Sequence, residues 1–284
     1  MLCGNGKLGV NLMQLMIAPT VAWKASDNHA FGISPLLVVQ QFEAHGLQPF
    51  DNAPGFPHMT GAPGSVTNNG TSTSTGVGVR IGYLGKLSDR VSVGVSYSPR
   101  IRMSRFDKYQ GLFADGGRFD IPENYSMGIN LRATPTVTLA FDYARINYAG
   151  VASVGNPSGP PVAPLGAANG PGFGWKNINV FKIGVQWQAT PQWQLRAGLN
   201  LGQNPIRSDD VSFNIVAPGV MTTHYTLGAT YAMAQQSELT FALTIAPSRS
   251  VTGPSMFNGF GMPAGNETIR MRQYGLGVQY AWKF

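Results

Sequence analysis

The carboxyl-terminal part of the chain alternates between large apolar residues and small or polar ones. From Tyr274 to Phe284 every second residue is apolar, and the residues between are glycine, glutamine, alanine or lysine. A period of two predicts a β-strand with two unlike faces. In a transmembrane barrel the apolar face contacts lipid, and its aromatic residues lie at the membrane interface. We predict a membrane-spanning strand; an edge strand of a soluble β-sandwich is the alternative that this segment alone leaves open.

The same alternation recurs along the chain as hairpins, in which two strands are joined by a short turn and followed by a longer loop. It predicts eleven strands, over residues 11–25, 30–44, 77–87, 91–106, 122–133, 137–148, 178–189, 193–203, 221–234, 238–246 and 267–284. Short turns lie on the periplasmic side of bacterial barrels and long loops on the extracellular side. The predicted turns at 26–28, 88–90, 134–136, 190–192 and 235–237 are therefore periplasmic. Pro99 predicts a bulge or bend within the fourth strand.

Composition agrees with a membrane β-barrel and with few other classes. Charged residues make up 12% of the chain, about half of the ~25% that is usual in soluble domains. No apolar run approaches the ~18 residues that a membrane helix requires. We therefore predict one all-β domain over residues 1–284, a transmembrane antiparallel up-and-down barrel in the bacterial outer membrane. Single-chain bacterial barrels have even strand numbers, so eleven strands and the missing secretory signal suggest that amino-terminal segments are absent.

Residues out of phase with the apolar stripe face the barrel interior. In the extracellular half these include four cations, Arg80, Arg100, Arg102 and Lys182. The same region carries apolar side chains where a water-filled pore would have polar ones: Val38, Phe42, Ile146, Val180, Ile269 and Met271. Apolar walls with a few cations suit an amphipathic carboxylate. The pattern predicts a site for a fatty-acid-like ligand, and the alternative is that these cations neutralise acidic groups or contact lipopolysaccharide.

The residues point away from catalysis and from nucleic-acid binding. His29, His45, His58 and His224 belong to separate hairpins, so no catalytic set with serine or asparagine is indicated. Cys3 is the only cysteine, and no metal-ligand spacing occurs. The net charge of +7 is spread along the chain rather than clustered. We predict no enzyme activity, no cofactor, no metal and no nucleic-acid partner.

Several segments together resemble the outer-membrane FadL/TodX family. They are NINVFKIGVQ at 177–186, WQLRAG at 193–198, NPI at 204–206, APGV at 217–220, TLGATY at 226–231 and the terminal YAWKF at 280–284. The resemblance implies a fourteen-stranded barrel that passes long-chain fatty acids or other hydrophobic compounds across the outer membrane. An amino-terminal hatch would plug its lumen. The predicted first strand would be the fourth of fourteen, and the terminal strand, 274–284, would be recognised by the barrel-assembly machinery.

The outer loops carry a further apolar cluster. Phe106, Tyr109, Leu112 and Phe113 lie close together in sequence, and Phe257, Phe260 and Met262 form a similar group in the last loop. The family resemblance implies a groove where ligand first lands, and packing of the loops on themselves is the alternative. A general porin, an inactive fragment of a transporter and a soluble β-rich binding protein are the rival interpretations of the whole chain.

Overall fold

The computed structural model describes residues 6–55, 58–159, 163–233 and 237–282. In these residues the chain forms twelve strands and two four-residue helices, α1 (Ala114–Gly117) and α2 (Ala152–Gly155). The strands are β1 Gly9–Ile17, β2 Val21–Ser26, β3 His29–His45, β4 Ser72–Lys86, β5 Val91–Ser98, β6 Asn124–Arg132, β7 Val137–Ile146, β8 Ile178–Gln188, β9 Trp193–Gly202, β10 Thr223–Ala232, β11 Ser237–Pro254 and β12 Asn266–Trp282. Neither helix is long and apolar enough to cross a membrane, and the described residues contain no other α-helix.

All twelve strands belong to one antiparallel sheet. It runs in the order β1-β3-β4-β5-β6-β7-β8-β9-β10-β11-β12, and β2 also pairs with β3. From β3 to β12 each strand pairs with the next one in sequence, and β1 and β2 both pair with β3, which confirms the predicted all-β, up-and-down architecture. β1 and β12 are the two edges, and no ladder joins them within the described residues, so the sheet is open.

The predicted first strand, 11–25, is two strands rather than one. β1 and β2 pair in succession with β3 in an unbroken register, from Ile17 opposite Leu37 to Val21 opposite Ile33. The same register brings Pro19 opposite Pro35. Proline has no backbone N–H to donate to a ladder, so pairing is interrupted between the two strands. The count is therefore twelve, although the number of hairpins is as predicted.

Three other boundaries differ from the prediction by five residues or more, and the remaining differences are of one or two residues. β4 begins at Ser72 rather than at 77, and β5 ends at Ser98, directly before Pro99. β11 continues to Pro254, with a register shift between Ala246 and Arg249, so the predicted loop 247–266 is partly strand. Of the residues used in the sequence analysis, Cys3, Gln235, Gln236, Lys283 and Phe284 lie outside the described residues.

The outer face of the sheet is apolar and solvent-accessible, as a lipid-facing surface requires. On β12 the side chains from Tyr274 to Trp282 that share this face are 54 to 78% exposed. Near the periplasmic turns, Trp23, Phe31 and Tyr83 stack side by side across β2, β3 and β4, with ring centres 6.0 and 5.2 Å apart. Aromatic girdles of this kind mark the interfaces of outer-membrane barrels.

The buried side chains lie mainly at the end of the sheet that the sequence predicts to be extracellular, between its inner face and the long connections. We call the described parts of these connections the loop cap: residues 46–55, 58–71, 99–121, 147–159, 163–177, 203–222 and 255–265. Its largest apolar cluster contains Phe42, Phe50, Phe106, Tyr109 and Phe113, all less than 10% exposed. Two smaller clusters surround Ile101 and Val211. Packed loops therefore cover the inner face of the sheet at one end.

Candidate functional site

The segment after β5 crosses the inner side of the sheet instead of continuing the strand. Its backbone makes isolated bridges to Gly76 of β4 and to Arg118 and Ile121, which precede β6. Ile101 and Met103 pack on Leu36 and Val38 of β3, and all four are at most 2% exposed. Val38 is thus on the inner face as predicted, but it is covered by this segment and does not line an open space.

Arg100 and Arg102 belong to the same crossing segment. Ile101 and Met103 point toward the inner face of β3 and β4, and both arginines are exposed on the side of the segment that faces away from the sheet. Arg100 donates from Nη1 to the carbonyl of Gly150 at 2.7 Å, and its Nε lies 3.9 Å from Asp120 Oδ2. The structure therefore gives Arg100 a role in joining two parts of the loop cap.

The predicted loop cluster is brought together around Phe42. The ring of Phe42 lies 4.7 Å from that of Phe113, 4.9 Å from that of Tyr109 and 5.6 Å from that of Phe106, between ring centres. The Tyr109 hydroxyl donates to the carbonyl of Gly70 at 2.8 Å and accepts from the amide of Ala44 at 3.1 Å. These contacts fix the loops on the top of β3.

Members of the last loop join the same cluster. Phe257 is buried in it, and Met262 packs against it. Leu112, from the loop 99–121, also packs against this cluster. The side chain of Phe260 is outside what the structure describes. The loop residues that the sequence singles out therefore pack on one another, and they also form the wall of a pocket.

A pocket of about 80 Å³ opens inside the loop cap, and we call it the cap pocket. None of the described residues that line it is charged. Its walls are mostly aromatic and aliphatic: Leu8, Val10, Phe42, Leu47, Phe50, Leu112, Phe113, Leu165, Phe173, Phe213, Ile215 and Val216, with Ser153 and Ser212 as the polar side chains. A small molecule held here would meet almost only apolar surface.

A second, larger pocket of about 610 Å³ lies between β1, β3, β6, β7 and the loop cap, and we call it the inner pocket. Five residues line both pockets: Val10, Phe42, Phe113, Phe173 and Val216. The two spaces therefore share one wall. A volume of this size is in the range of ordinary small-molecule sites, roughly 300–1,000 Å³.

Three amide side chains, those of Gln14, Gln40 and Asn124, contribute to the polar lining of the inner pocket. Gln40 donates from Nε2 to Gln14 Oε1 at 2.9 Å, and Asn124 lies on the opposite wall. Asp120 is committed to the backbone amide of Met103 at 2.8 Å. Arg145 donates to Asn147 and Asn179 at 3.1 and 2.9 Å. Both charged residues of this lining thus already have partners.

Aromatic side chains of the loop cap cover the far end of the inner pocket. Trp175 and Tyr148 meet edge to face with ring centres 5.0 Å apart. Burial raises the pKa of the Tyr148 hydroxyl, so this tyrosine stays neutral over the physiological range. Trp175 donates from Nε1 to Asn214 Oδ1 at 2.5 Å.

Buried hydrogen bonds hold the two loops that carry Phe173 and Phe213. Asp210, 3% exposed, accepts from the amide and the hydroxyl of Ser158 at 2.8 and 2.7 Å. Asn214, fully buried, donates to the carbonyls of Phe173 and Asp210 at 2.7 and 2.8 Å. These hydrogen bonds join the described parts of the two loops to each other and so fix the aromatic walls of the cap pocket.

The remaining predicted site residues are dispersed over the inner face. Ile146 lines the inner pocket together with Phe42. Arg80 points inward, with Nη2 3.8 Å from Met16 Sδ, and Lys182 stands opposite Asp142 and Asn200 in the register. Val180 lies beside Gly202, whereas Ile269 and Met271 belong to the cluster around Val211. Neither Arg80 nor Lys182 lines the two pockets.

The alternation pattern does not reveal Phe50, Phe173 and Phe213, because they lie in loops without regular period. Isolated phenylalanines in loops rich in glycine and proline are the one sequence signal for them. Within the described residues no group of three histidine, cysteine, aspartate or glutamate side chains could hold a metal ion. The arrangement offers binding surface for an apolar molecule.

Comparisons with known proteins agree with this geometry. The family model described as outer membrane protein transport protein (OMPP1/FadL/TodX) matches residues 5–284. Among solved structures, the P. putida toluene transporter TodX superposes with a TM-score of 0.63 at 16% identity, over 97% of this chain and 70% of that one.

Two further structures align similarly. The Ralstonia pickettii toluene transporter TbuX gives a TM-score of 0.59 at 16% identity, over 97% and 68% of the two chains. A Pseudomonas aeruginosa FadL homologue gives 0.60 at 16% identity, over 95% and 67%. At such identities the similarity establishes the fold alone. No curated protein sequence matches the chain.

Proposed function

The protein belongs to the FadL/TodX family of outer-membrane transport proteins, whose model covers almost its whole length, and we propose that it carries hydrophobic compounds from the cell surface into its barrel. Members of this family are outer-membrane β-barrels that transport hydrophobic compounds. One observation carries the proposal: the cap pocket and the inner pocket share the wall formed by Val10, Phe42, Phe113, Phe173 and Val216. We infer that an apolar molecule passes from one pocket to the other at this shared wall, whose side chains are all apolar.

The cargo proposed here is a long-chain fatty acid. Its tail would lie in the apolar pockets, and its carboxylate would meet Arg80 or Lys182 on the inner face. Among the described residues neither cation forms an ion pair, so both are available to a carboxylate. The other predicted contacts, Phe42, Ile146, Val180 and Met271, would meet the tail.

Oleate binding tests the cargo. We expect the variant Arg80→Gln/Lys182→Gln to bind oleate about tenfold or more weakly, since hydrogen bonds to charged groups contribute roughly 1.5–3 kcal/mol. The matched control is Lys86→Gln/Arg90→Gln, which removes the same charge at a periplasmic turn. Unchanged oleate affinity in the first variant, or an equal loss in the control, would exclude a head-group site at these cations.

A monoaromatic hydrocarbon is the second candidate cargo. The observation in its favour is the cap pocket, whose described lining residues are all uncharged, and both TodX and TbuX are described as toluene transporters. Toluene has no head group, so its binding should be the same in the wild type and in Arg80→Gln/Lys182→Gln. Toluene binding with no oleate binding would replace the fatty acid by the hydrocarbon while leaving hydrophobic transport in place.

One further role belongs to the same proposal. The terminal strand, of which the structure describes residues to Trp282, would be recognised by the barrel-assembly machinery.

A general porin is the alternative function, and it would give large steady ion currents in a planar bilayer. A transporter of this family would give almost none, so conductance of the membrane-extracted protein separates these two functions.

A further inference from the structure

Two arginines continue the lipid-facing side of β12 beyond its apolar stripe. Arg270 and Arg272 alternate in phase with Tyr274, and both are exposed. The guanidinium carbon of Arg272 lies 5.8 Å from the centre of the Tyr274 ring, which is a cation–π distance. The positive charge is thus held directly beside the outermost aromatic ring of the stripe.

The height of these arginines matches the region of lipid head groups. From Tyr274 to Trp282 the stripe covers eight residue steps, roughly 27 Å at ~3.4 Å per residue. A strand tilt of about 35–45° reduces this to about 20 Å of membrane thickness, close to the ~25 Å apolar band of bacterial barrels. Arg272 and Arg270 then lie roughly 5 and 10 Å above the band.

The neighbouring strand changes character at the same level. Ile245 of β11 stands opposite Tyr274, and beyond the register shift Ser250 stands opposite Arg270. One pair further, the hydroxyls of Thr252 and Thr268 lie 2.8 Å apart. Hydroxyl groups therefore lie beside Arg270, on the side away from the apolar stripe. We call Arg270, Arg272, Ser250 and Thr252 the rim patch.

Within the described residues the rim patch has no anionic partner: none of the ion pairs includes Arg270 or Arg272. The nearest carboxylate along the strand, Glu267, is on the opposite phase and accepts hydrogen bonds from the hydroxyls of Ser212 and Ser255 at 2.5 and 2.8 Å. Two exposed guanidinium groups beside a membrane surface are thus available to an anion from outside the chain.

We propose that the rim patch binds a phosphate of lipid A, the phosphorylated glycolipid anchor of the outer leaflet. Adjacent guanidinium groups can hold phosphate oxygens bidentately, and the hydroxyls add further donors. The acyl chains of the same molecule would lie on the stripe below, against Tyr274 and Leu276. This continuity of charge and apolar surface fits an acylated phosphate better than a free one.

The amount of added lipid A that the detergent-solubilised protein retains tests the proposed site. The protein would be taken from outer membranes, exchanged into detergent, incubated with lipid A carrying both phosphates, and examined by native mass spectrometry. Wild-type protein should retain lipid A about tenfold or more strongly than Arg270→Gln/Arg272→Gln. The control Lys86→Gln/Arg90→Gln, with the same charge loss at the periplasmic end, should retain it as the wild type does.

A second comparison changes only the ligand and so does not depend on the folding of a variant. Wild-type protein should not retain lipid A from which the phosphates have been removed. It should also bind phosphatidylglycerol more weakly than phosphorylated lipid A. Equal retention of phosphorylated and dephosphorylated lipid A, equal retention of phosphatidylglycerol, or an unaffected arginine variant would each overturn the assignment.

Discussion

Ile101 lies directly over Gly78, so close that a methyl group on Gly78 would come within 2.6 Å of Ile101 Cγ1. The segment after β5 can cross the inner face only because β4 presents no side chain at this point. Gly76 provides the same clearance for Met103. The covering of β3, and with it the position of the loop cap, therefore depends on two glycines two residues apart.

Gly78→Ala should destabilise the protein by about 1–3 kcal/mol, which is the usual cost of forcing a methyl group into a packed site. Chemical unfolding in detergent micelles would measure it. Gly82→Ala is the matched control, because its methyl group would meet nothing closer than the Val95 carbonyl oxygen at 3.7 Å. Equal effects of the two substitutions would show that Ile101 does not rest on β4.

Phe42→Ala should cost about 3–5 kcal/mol of unfolding free energy, the usual range for a large aromatic side chain removed from a core. Phe42 is 4% exposed and contacts three other rings. Phe241→Ala, at a position 43% exposed on the outer face, should cost clearly less in the same unfolding experiment. Similar losses for both would mean that Phe42 does not organise the loop cap.

Val216→Trp should reduce uptake of hydrophobic cargo without preventing folding. Val216 is partly exposed and lines both pockets. An indole ring at this position would therefore block the proposed passage between the cap pocket and the inner pocket. The measurement is uptake of labelled oleate or toluene by cells at matched surface expression. Val77→Trp, on the lipid-facing side where the valine is 70% exposed, should leave uptake at the wild-type rate. Undiminished uptake in the first variant would mean that cargo takes another route.

Acid should weaken the connection between β5, β6 and β7 through Glu123. The hydroxyl of Tyr97 and the amide of Asn147 donate to its carboxylate at 2.6 and 2.8 Å, and these hydrogen bonds, that of Tyr97 first, lower the pKa of Glu123. A lowered pKa stabilises the fold fully above the ordinary glutamate value, roughly 4.3. The contribution is lost as the pH falls through the lowered pKa.

Thermal unfolding between about pH 6 and pH 3 would reveal this loss. The wild type should lose stability on the acid side more steeply than Glu123→Gln, whose side chain cannot be protonated. Asp27→Asn, in an exposed periplasmic turn, should follow the wild-type profile. Parallel curves for the wild type and Glu123→Gln would contradict the prediction.

The regular part of the fold can be predicted from the sequence because its cause is local. Lipid on one side of a strand forces alternation, and short polar turns such as 26–28 and 134–136 mark where one strand ends and the next begins. The inner facing of Phe42, Ile146 and Lys182 follows from the same period. The family resemblance rests on separate segments, and the match over residues 5–284 confirms it.

The loops and the irregular strands could not be predicted in the same way. The chain leaves the sheet after Ser98 and crosses the inner side of β4, which the alternation over 91–106 does not show, so the predicted fourth strand is longer than β5. Pro19 reads as one more residue of a strand until its position opposite Pro35 is known. The walls contributed by Phe50, Phe173 and Phe213 depend on contacts between distant loops, which have no period.

Phe42 and Phe113 belong at once to the best-packed cluster of the protein and to the wall that separates its two pockets. Most proteins place their stabilising core and their moving parts in different regions. Here a change that tightens the aromatic cluster also narrows the route, and a change that widens the route loosens the cluster. Substitutions of Phe42 or Phe113 that raise thermal stability should therefore lower the rate of uptake, and the reverse. A gain in one would be selected only where the environment tolerates a loss in the other.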